Sequence, residues 1–580
     1  MIEAKKKIDE WCNTLSEKIT EAVLTGGTAE KISNLANSAR EQQLVVPVVG
    51  AFSSGKSTMI NNLIGETTLP VGITPETSLA AELHYSPENF IEAVKENGEV
   101  DRYKLSEITT VTANAAKYQY ARLYLNNERL REIEPLVLVD MPGFDSPLDL
   151  HNKAIMAYLD RGCYYIVLSS VEEGTITKSL ERRLLEIEGY GREFSFFLSR
   201  ANEKPKESLD KLVSYYQNQI NDRFESKTKV VTLGNSSDEV LRCLKSIDID
   251  KVFIKLYRGW LLDICSDIIT GISLQISASK KDAETIRTAV KEMENSIEKL
   301  RKKKSSDLDD MKRRYSVNLV NDLVSDAGKA LDDSIDELVG IAVTGNKDEL
   351  LRHLNEIVRV AMTASIQDKL NDITRQITVD FSESLNDLDK IMNDLELDTN
   401  YLKNITEKVE TSLTIIDSLL SQETVAEASA GLAGVKPLLN TGFKAVAGAG
   451  LASVAINPII GIVIMFLPEI IGVFAKLFGG DPKEKQKEAV RSKFAGEVFP
   501  SIKRKLREEI PSILNEQVTV IIKNVSEQYE EKIKYQIEAI NSQITQESGN
   551  IEENEVKQNK FNEVLSDVKK TDGEIRIWGK

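Results

Sequence analysis

The chain is short of the residues on which several chemistries depend. Among 580 residues it has three histidines, His84, His151 and His353. They lie far apart, so each reads as a packed or surface residue and not as part of a Ser–His or Cys–His catalytic set. The four cysteines, Cys12, Cys163, Cys243 and Cys265, contain no CxxC pair, which argues for free thiols in a reducing compartment and against a disulfide framework or zinc site. Basic charge is scarce too: 74 Lys and Arg against 91 Asp and Glu leave a net charge of −17. That excludes general nucleic-acid binding, because phosphate contacts need clustered cations. The start, Met1-Ile-Glu-Ala-Lys-Lys-Lys, has no apolar signal-peptide core, and a cytoplasmic start is expected. Proline is missing altogether between Pro205 and Pro437, an interval rich in Lys, Glu, Asp, Leu and Ile that reads as long helices.

What the chain does have is a phosphate cradle. The apolar strand Leu44–Val49 runs into Gly50-Ala-Phe-Ser-Ser-Gly55-Lys56-Ser57, and the helix-like Thr58–Ile64 follows. This is a P-loop in the strand–loop–helix setting the motif requires. Backbone N–H groups from Gly50 through Ser53, Ser54 and Gly55 to Thr58 would point at phosphate oxygens, helped by the positive end of the helix. Lys56 would reach the β- and γ-phosphates, and the Ser57 hydroxyl would ligate Mg²⁺. A second element, Leu136-Val-Leu-Val-Asp140-Met-Pro-Gly143, ends a buried strand in Asp140, suited to hold Mg²⁺ through a water, and Gly143, whose N–H would face the γ-phosphate.

Around these motifs the chain divides into stretches of different character. Residues 1–40 read as two helices with a face made by Ile8, Trp11, Leu15, Ile19 and Val23 that needs a partner, the neck or the nucleotide domain itself. Residues 41–250 alternate strand-like and helix-like segments, an α/β domain with strands at Leu44–Val49, Ala80–Tyr85, Phe90–Val94, Leu136–Val139, Tyr164–Ser169, Phe194–Leu198 and Val230–Leu233. Residues 251–422 form an ascending helical neck and trunk. Ile286, Val290, Met293, Ile297 and Leu300 make one seam, Ile366, Leu370, Ile373 and Ile377 another, with turns at Thr344-Gly-Asn346 and Asp398-Thr-Asn400. A helix of about 50 residues between such turns would span about 75 Å. Residues 481–580 return along the trunk through Val518, Ile522, Val525, Tyr529, Ile533, Ile537, Ile540 and Ile544. Their last part, Ile551–Val568, is placed to meet the N-terminal helix.

Residues 423–480 differ in kind. No charged residue occurs from Ala445 to Pro468, and Asn457-Pro458 interrupts the run, so two short apolar helices in a hairpin fit better than one span. Lys436 and Lys444 precede it; Lys476, Lys483, Lys485 and Lys487 follow, as suits a membrane's headgroup zone. Ile459, Ile462, Ile464, Phe466 and Leu467 are the expected lipid contacts. A buried helix pair is the plain alternative.

The P-loop, Leu69-Pro70 followed by Thr77, and Leu138-Val-Asp140-Met-Pro-Gly143 together resemble the dynamin superfamily, and bacterial dynamin-like proteins within it. The resemblance covers roughly residues 44–200, and the stalk with an apolar end extends it only in architecture. It implies an α/β GTPase domain with a helical neck and trunk, GTP as substrate, Mg²⁺ as cofactor, and dimerisation through GTPase domains. It also implies a bilayer contacted at the far end, peripheral attachment to it, and bending, tubulation, fusion, fission or vesicle release, with a second dynamin-like chain as a further partner. By the resemblance Ser53 contacts the phosphates during hydrolysis, and Thr77 orders the attacking water and closes over Mg²⁺. Thr74 is a second switch candidate. The base-reading motif departs from the family: Ser199-Arg200-Ala-Asn202 stands where (Asn/Thr)-Lys-x-Asp is expected. Arg200 would stack on the base, while Asn202 offers one acceptor oxygen and an amide where guanine needs a carboxylate. Asn235 reads as a base contact or as a turn residue. GTP hydrolysis is therefore expected with relaxed base choice or a slow rate. The rival from another class is a helical membrane-inserting or pore-forming protein whose nucleotide domain only regulates it.

Overall fold

A continuous apolar run such as Leu44-Val-Val-Pro-Val-Val-Gly50 suits a strand covered on both faces, and in the computed structural model every residue of β1 (Leu44–Gly50) is buried. The structure describes residues 2–22, 24, 27–70, 79–95, 98–143, 158, 162–189, 192–224, 228–281, 283–306, 308–386, 388–389, 405–406, 409, 484–544 and 551–579. The expected apolar hairpin, its five lipid-contact residues, the turn at Asp398-Thr-Asn400, and Thr74 and Thr77 lie outside them.

Helices α1 (Glu3–Glu21) and α2 (Thr28–Glu41) precede β1, and α3 (Lys56–Ile64) follows it. Then come β2 (Ala80–Tyr85), β3 (Phe90–Val94), β4 (Val100–Tyr103), α4 (Ile108–Ala113), β5 (Tyr120–Leu125), α5 (Glu128–Glu132) and β6 (Leu136–Asp140). The domain continues through β7 (Tyr164–Ser170), α6 (Lys178–Gly189), β8 (Glu193–Ser199), α7 (Lys206–Arg223), β9 (Val230–Thr232) and α8 (Asp238–Ser246). The strands form one sheet in the order β4-β3-β5-β2-β6-β1-β7-β8-β9. β1 lies between β6 and β7, parallel to both, with Val48 opposite Asp140 and Gly50 opposite Leu168. The carboxyl ends of these strands therefore meet at one edge, where open α/β sheets bind ligands. The seven expected strands are present. β4 and β5 were not expected: β4 is four residues long, and β5 buries Arg122, which broke the apolar pattern.

Side chains of β1 alternate between two cores. Val45 and Val49 join Val167, Leu180 and Phe196, and that core runs unbroken into the trunk helices. Leu44, Val46 and Val48 join Met59, Leu138, Ile166, the N-terminal helices and α9 (Ile249–Ala278). The face on α1 is Ala4, Ile8, Cys12, Leu15 and Ile19, with Trp11 at its margin.

Among the described residues the trunk comprises α10 (Ala283–Ser306), α11 (Leu308–Asp333), α12 (Ile335–Thr344), α13 (Lys347–Glu383), α14 (Glu484–Lys493), α15 (Phe499–Ile544) and α16 (Ile551–Ile577). The expected turn after Thr344 is made by Gly345 at φ 75° and by Asn346, whose side chain accepts from the Glu349 N–H. The helix beyond it is shorter than expected. α13 stops at Glu383, where the Ser384 hydroxyl and N–H both turn back to the Phe381 carbonyl, a local bond that competes with helix continuation. α15 is the long one at 46 residues, about 69 Å at 1.5 Å per residue. α16 comes back to the N-terminal helix: Trp11 and Trp578 stand edge to face at 4.9 Å and Lys18 pairs with Asp567 at 2.8 Å.

Two polar groups, the first half-buried and the second buried, join units distant in sequence. Arg182 on α6 meets Glu337 on α12 at 2.6 Å and Glu356 on α13 at 3.4 Å. Lys532 on α15 donates to Asp263 and Asp267 of α9 at 2.8–2.9 Å. Among the described residues one helical stretch, Asp238–Ala278, is long and apolar enough to cross a membrane, but 61% of its most apolar window is buried in the protein. It packs as a core helix against α1, α2, α15 and α16.

Candidate nucleotide-binding site

β1 delivers the chain to the site at Gly50. A Cβ there would lie 2.3 Å from the Leu168 carbonyl oxygen and 2.6 Å from Ser54 Oγ, so only glycine fits. The loop then turns through two left-handed residues, Ser53 at φ 63° and Gly55 at φ 89°, and α3 begins at Lys56. The Lys56 ammonium is folded onto the loop's own carbonyls, donating to Gly50 at 3.0 Å and Ala51 at 2.9 Å. Thr58 is exposed in the first turn of α3, and Phe52 is 38% exposed on the loop.

Asp140, at the end of β6, accepts from Ser57 Oγ through Oδ2 at 2.6 Å. Its other oxygen, Oδ1, is buried with no hydrogen-bond partner among the described residues, as is Ser54 Oγ. Burial pushes the Asp140 carboxyl up to about 6, against the pull of the Ser57 hydrogen bond and the Lys56 charge. A buried carboxylate with one open oxygen beside a hydroxyl is the hard-oxygen set that Mg²⁺ takes. Among the described residues no group of three or more His, Cys, Asp or Glu could hold a metal. Ser57 and Asp140 would supply two oxygens to such an ion, with phosphate and water oxygens as its other ligands. Gly143 closes this side: a Cβ on it would come within 2.8 Å of Phe52 Cα, so the Asp140-to-Gly143 turn rests directly on the P-loop.

Two residues with no such role read from the sequence hold the P-loop and the segment after α3 in place. Ser199, at the end of β8, donates its hydroxyl to the Ser54 carbonyl at 2.7 Å. Asn61, buried on α3, donates to the Leu69 carbonyl at 2.8 Å and accepts from the Thr68 and Leu69 N–H groups at 3.1 and 2.9 Å. That fixes the chain where it leaves toward Thr77. The only signal in the sequence was a polar residue within the apolar pattern of α3.

The expected base-reading residues sit on two adjoining loops, joined by the Ala201 N–H donating to the Leu233 carbonyl at 2.9 Å. Asn202 and Asn235 are both exposed. Arg200 is left-handed at φ 60°, and its guanidinium is paired with Glu172 and with Glu203.

Residues 46–196 match the dynamin family. A protein of Caldicellulosiruptor from the xynA 3' region is 27% identical over 209 residues, 33% of this chain and 50% of its own length. Dynamin-like protein 2 of Campylobacter jejuni is 24% identical over 216 residues, 36% of this chain and 34% of its own. The matched stretch thus spans half or less of these curated relatives. A solved structure, described as an oligomerised bacterial dynamin pair that provides a mechanism for long-range sensing and tethering of membranes, aligns over 94% of this chain and 91% of its own. Its sequence identity is 14% and its TM-score 0.31.

Proposed function

We propose that this chain, whose residues 46–196 are a dynamin-family nucleotide domain followed by a long helical region, binds GTP with Mg²⁺, hydrolyses it and acts on membranes. The observation that carries the proposal is the pairing of the Lys56 ammonium, held within the loop by the Gly50 and Ala51 carbonyls, with the open oxygen of buried Asp140 beside Ser57. Phosphate oxygens entering the cradle would replace those carbonyls as partners of Lys56. Bound Mg²⁺ would supply charge neutralisation across the β- and γ-phosphates, with Ser57 and Asp140 as the residues that hold it.

The remaining roles follow from position. Ser53, already left-handed, presents its N–H and hydroxyl toward the phosphates, and Gly143 its N–H toward the γ-phosphate. Thr77 orders the attacking water. Arg200, released from Glu172 and Glu203, stacks on the base, with Asn202 and Asn235 at its edge. Nucleotide domains of two chains pair when loaded, a second dynamin-like chain being one further partner. The apolar segment at 423–480, with Ile459, Ile462, Ile464, Phe466 and Leu467, contacts a bilayer.

Phosphate release from GTP and from ATP, each with and without liposomes, tests the reading. GTP turnover raised by lipid is expected. Leakage of liposomes without nucleotide, and no turnover, would return the chain to the membrane-inserting class. Lys56→Ala is expected to abolish nucleotide binding, measured by titration with a fluorescent nucleotide, and unchanged affinity would remove the site assignment.

A further inference from the structure

β6 ends at Asp140 on one side of β1, and the proposed function puts the γ-phosphate there, against Gly143. A nucleotide laid across the P-loop therefore carries its base to the other side of β1, where β7, β8 and β9 follow in the sheet. Two loops stand at that end. The turn after β8 is tied to the P-loop, Ser199 Oγ donating to the Ser54 carbonyl at 2.7 Å. The loop after β9 is tied to α3, Ser237 Oγ donating to the Met59 carbonyl at 2.8 Å. The Ala201 N–H, donating to the Leu233 carbonyl at 2.9 Å, joins one loop to the other.

Among the described residues the carboxylates around these loops are already engaged. Arg200 is paired with Glu172 and, through Nε at 3.2 Å, with Glu203. Asp238 accepts from Ser236 Oγ at 2.7 Å and from Arg129 at 3.1 Å. Asn202 lies on the turn that the P-loop holds. Its side chain is exposed and makes no hydrogen bond among the described residues, so its amide can turn either way. Guanine presents two donors side by side, N1–H and the 2-amino group. A carboxylate accepts both. An amide accepts one, and in either orientation turns its own NH₂ on the other, which leaves a donor unsatisfied. Hypoxanthine lacks the 2-amino group and so lacks the conflict. Xanthine has an oxo group at C2, and its N1–H and C2=O match the oxygen and the NH₂ of Asn202.

We infer that Asn202 determines base choice at this site, favouring a 6-oxopurine nucleotide with an acceptor at C2 over one with a donor there. The inference rests on the proposed function for where the phosphates lie. GTP binds through its phosphates, and its 2-amino group counts against it. Specificity of this kind is a difference between two affinities, set here by a repulsive pair as much as by an attractive one. Should Arg200 leave its carboxylates to stack on the base, Glu203 becomes the competing acceptor, and the test includes it.

The test is competition of GTP, inosine triphosphate and xanthosine triphosphate against a fluorescent GTP analogue, in Mg²⁺, on the full chain. In the parent, xanthosine triphosphate should bind about tenfold tighter than GTP, with inosine triphosphate between them. Asn202→Asp, a change at an exposed position, should reverse the order and put GTP about tenfold ahead of the other two. GTP ahead of inosine triphosphate in the parent overturns the inference, and loss of that lead in Glu203→Gln would assign the reading to Glu203. An order left unchanged by Asn202→Asp overturns it as well. Either result leaves the proposed function standing. A parent chain that binds none of the three nucleotides overturns the proposed function, and this inference with it.

Discussion

Asp140 carries a cost that its partner is suited to remove. Buried at the end of β6, its carboxyl is pushed up to about 6, above the usual value of about 4 for an unfolded chain. The folded state therefore holds the proton more tightly than the unfolded one. Its contribution to stability is greatest below pH 4, declines as pH rises from about 4 to about 6, and stays low above that. Asp140→Asn should accordingly raise the stability of the nucleotide-free chain by about 2–3 kcal/mol at pH 7 and by little at pH 4. Melting temperatures of parent and variant at the two pH values check this. A cation bound at Oδ1 favours the ionised form, so Mg²⁺-dependent nucleotide affinity in the parent should fall below about pH 6, and in Asp140→Asn the fall should be shallower, leaving the part due to the nucleotide's terminal phosphate. The candidate residues here could be named from the sequence because the P-loop and the Asp-x-x-Gly turn are each contiguous in it. The parts played by Ser199 and Asn61 could not, because Ser199 acts on the carbonyl of Ser54, which the folded sheet brings near, and Asn61 on the backbone of the turn that follows its own helix.

At the scale of elements, burial patterns explain what could be read and what could not. The seam Ile286, Val290, Met293, Ile297 and Leu300 is buried throughout, and strands made of apolar runs were equally plain. β5 was hidden because Arg122 and Glu82, adjacent across the β2–β5 pair, satisfy one another inside the sheet. The α9–α15 contact was hidden for the same reason. Lys532 looks like a solvent-facing lysine in a coiled-coil seam, yet it is 2% exposed and holds both Asp263 and Asp267. Lys31 on α2 bridges Asp267 and Glu531 at 3.2 and 2.6 Å, adding a third helix. Removing one partner of a buried ionic group strands the others, typically at about 3–5 kcal/mol. Lys532→Met should cost that much in urea unfolding. Adding Asp263→Asn, with Lys31 still paired to Asp267, should recover a large part of it. A Lys532→Met chain as stable as the parent would mean that the group is hydrated and not a joint of the neck.

For the whole molecule the question is whether the stretch between α13 and α14 works outside the protein or inside it. α15 extends about 69 Å at 1.5 Å per residue, and the uncharged run from Ala445 to Pro468 precedes it in sequence, bracketed by lysines. Within the described residues the most apolar helical stretch is already spent on the core around α1, α2 and α16, so the proposed lipid contact at 423–480 rests on that segment's sequence. Placing a carboxylate in the apolar part of a bilayer costs about 2.5–3.5 kcal/mol on insertion scales. Ile462→Glu combined with Phe466→Glu should then reduce membrane affinity by several orders of magnitude, enough to abolish co-sedimentation with liposomes. Affinity for GTP, set at the Lys56 and Asp140 end of the chain, should not change. If the segment were instead a buried helix pair, the same two charges would lower the melting temperature and leave sedimentation as it was. Measuring both quantities on one preparation separates the two arrangements, because each predicts a change where the other predicts none.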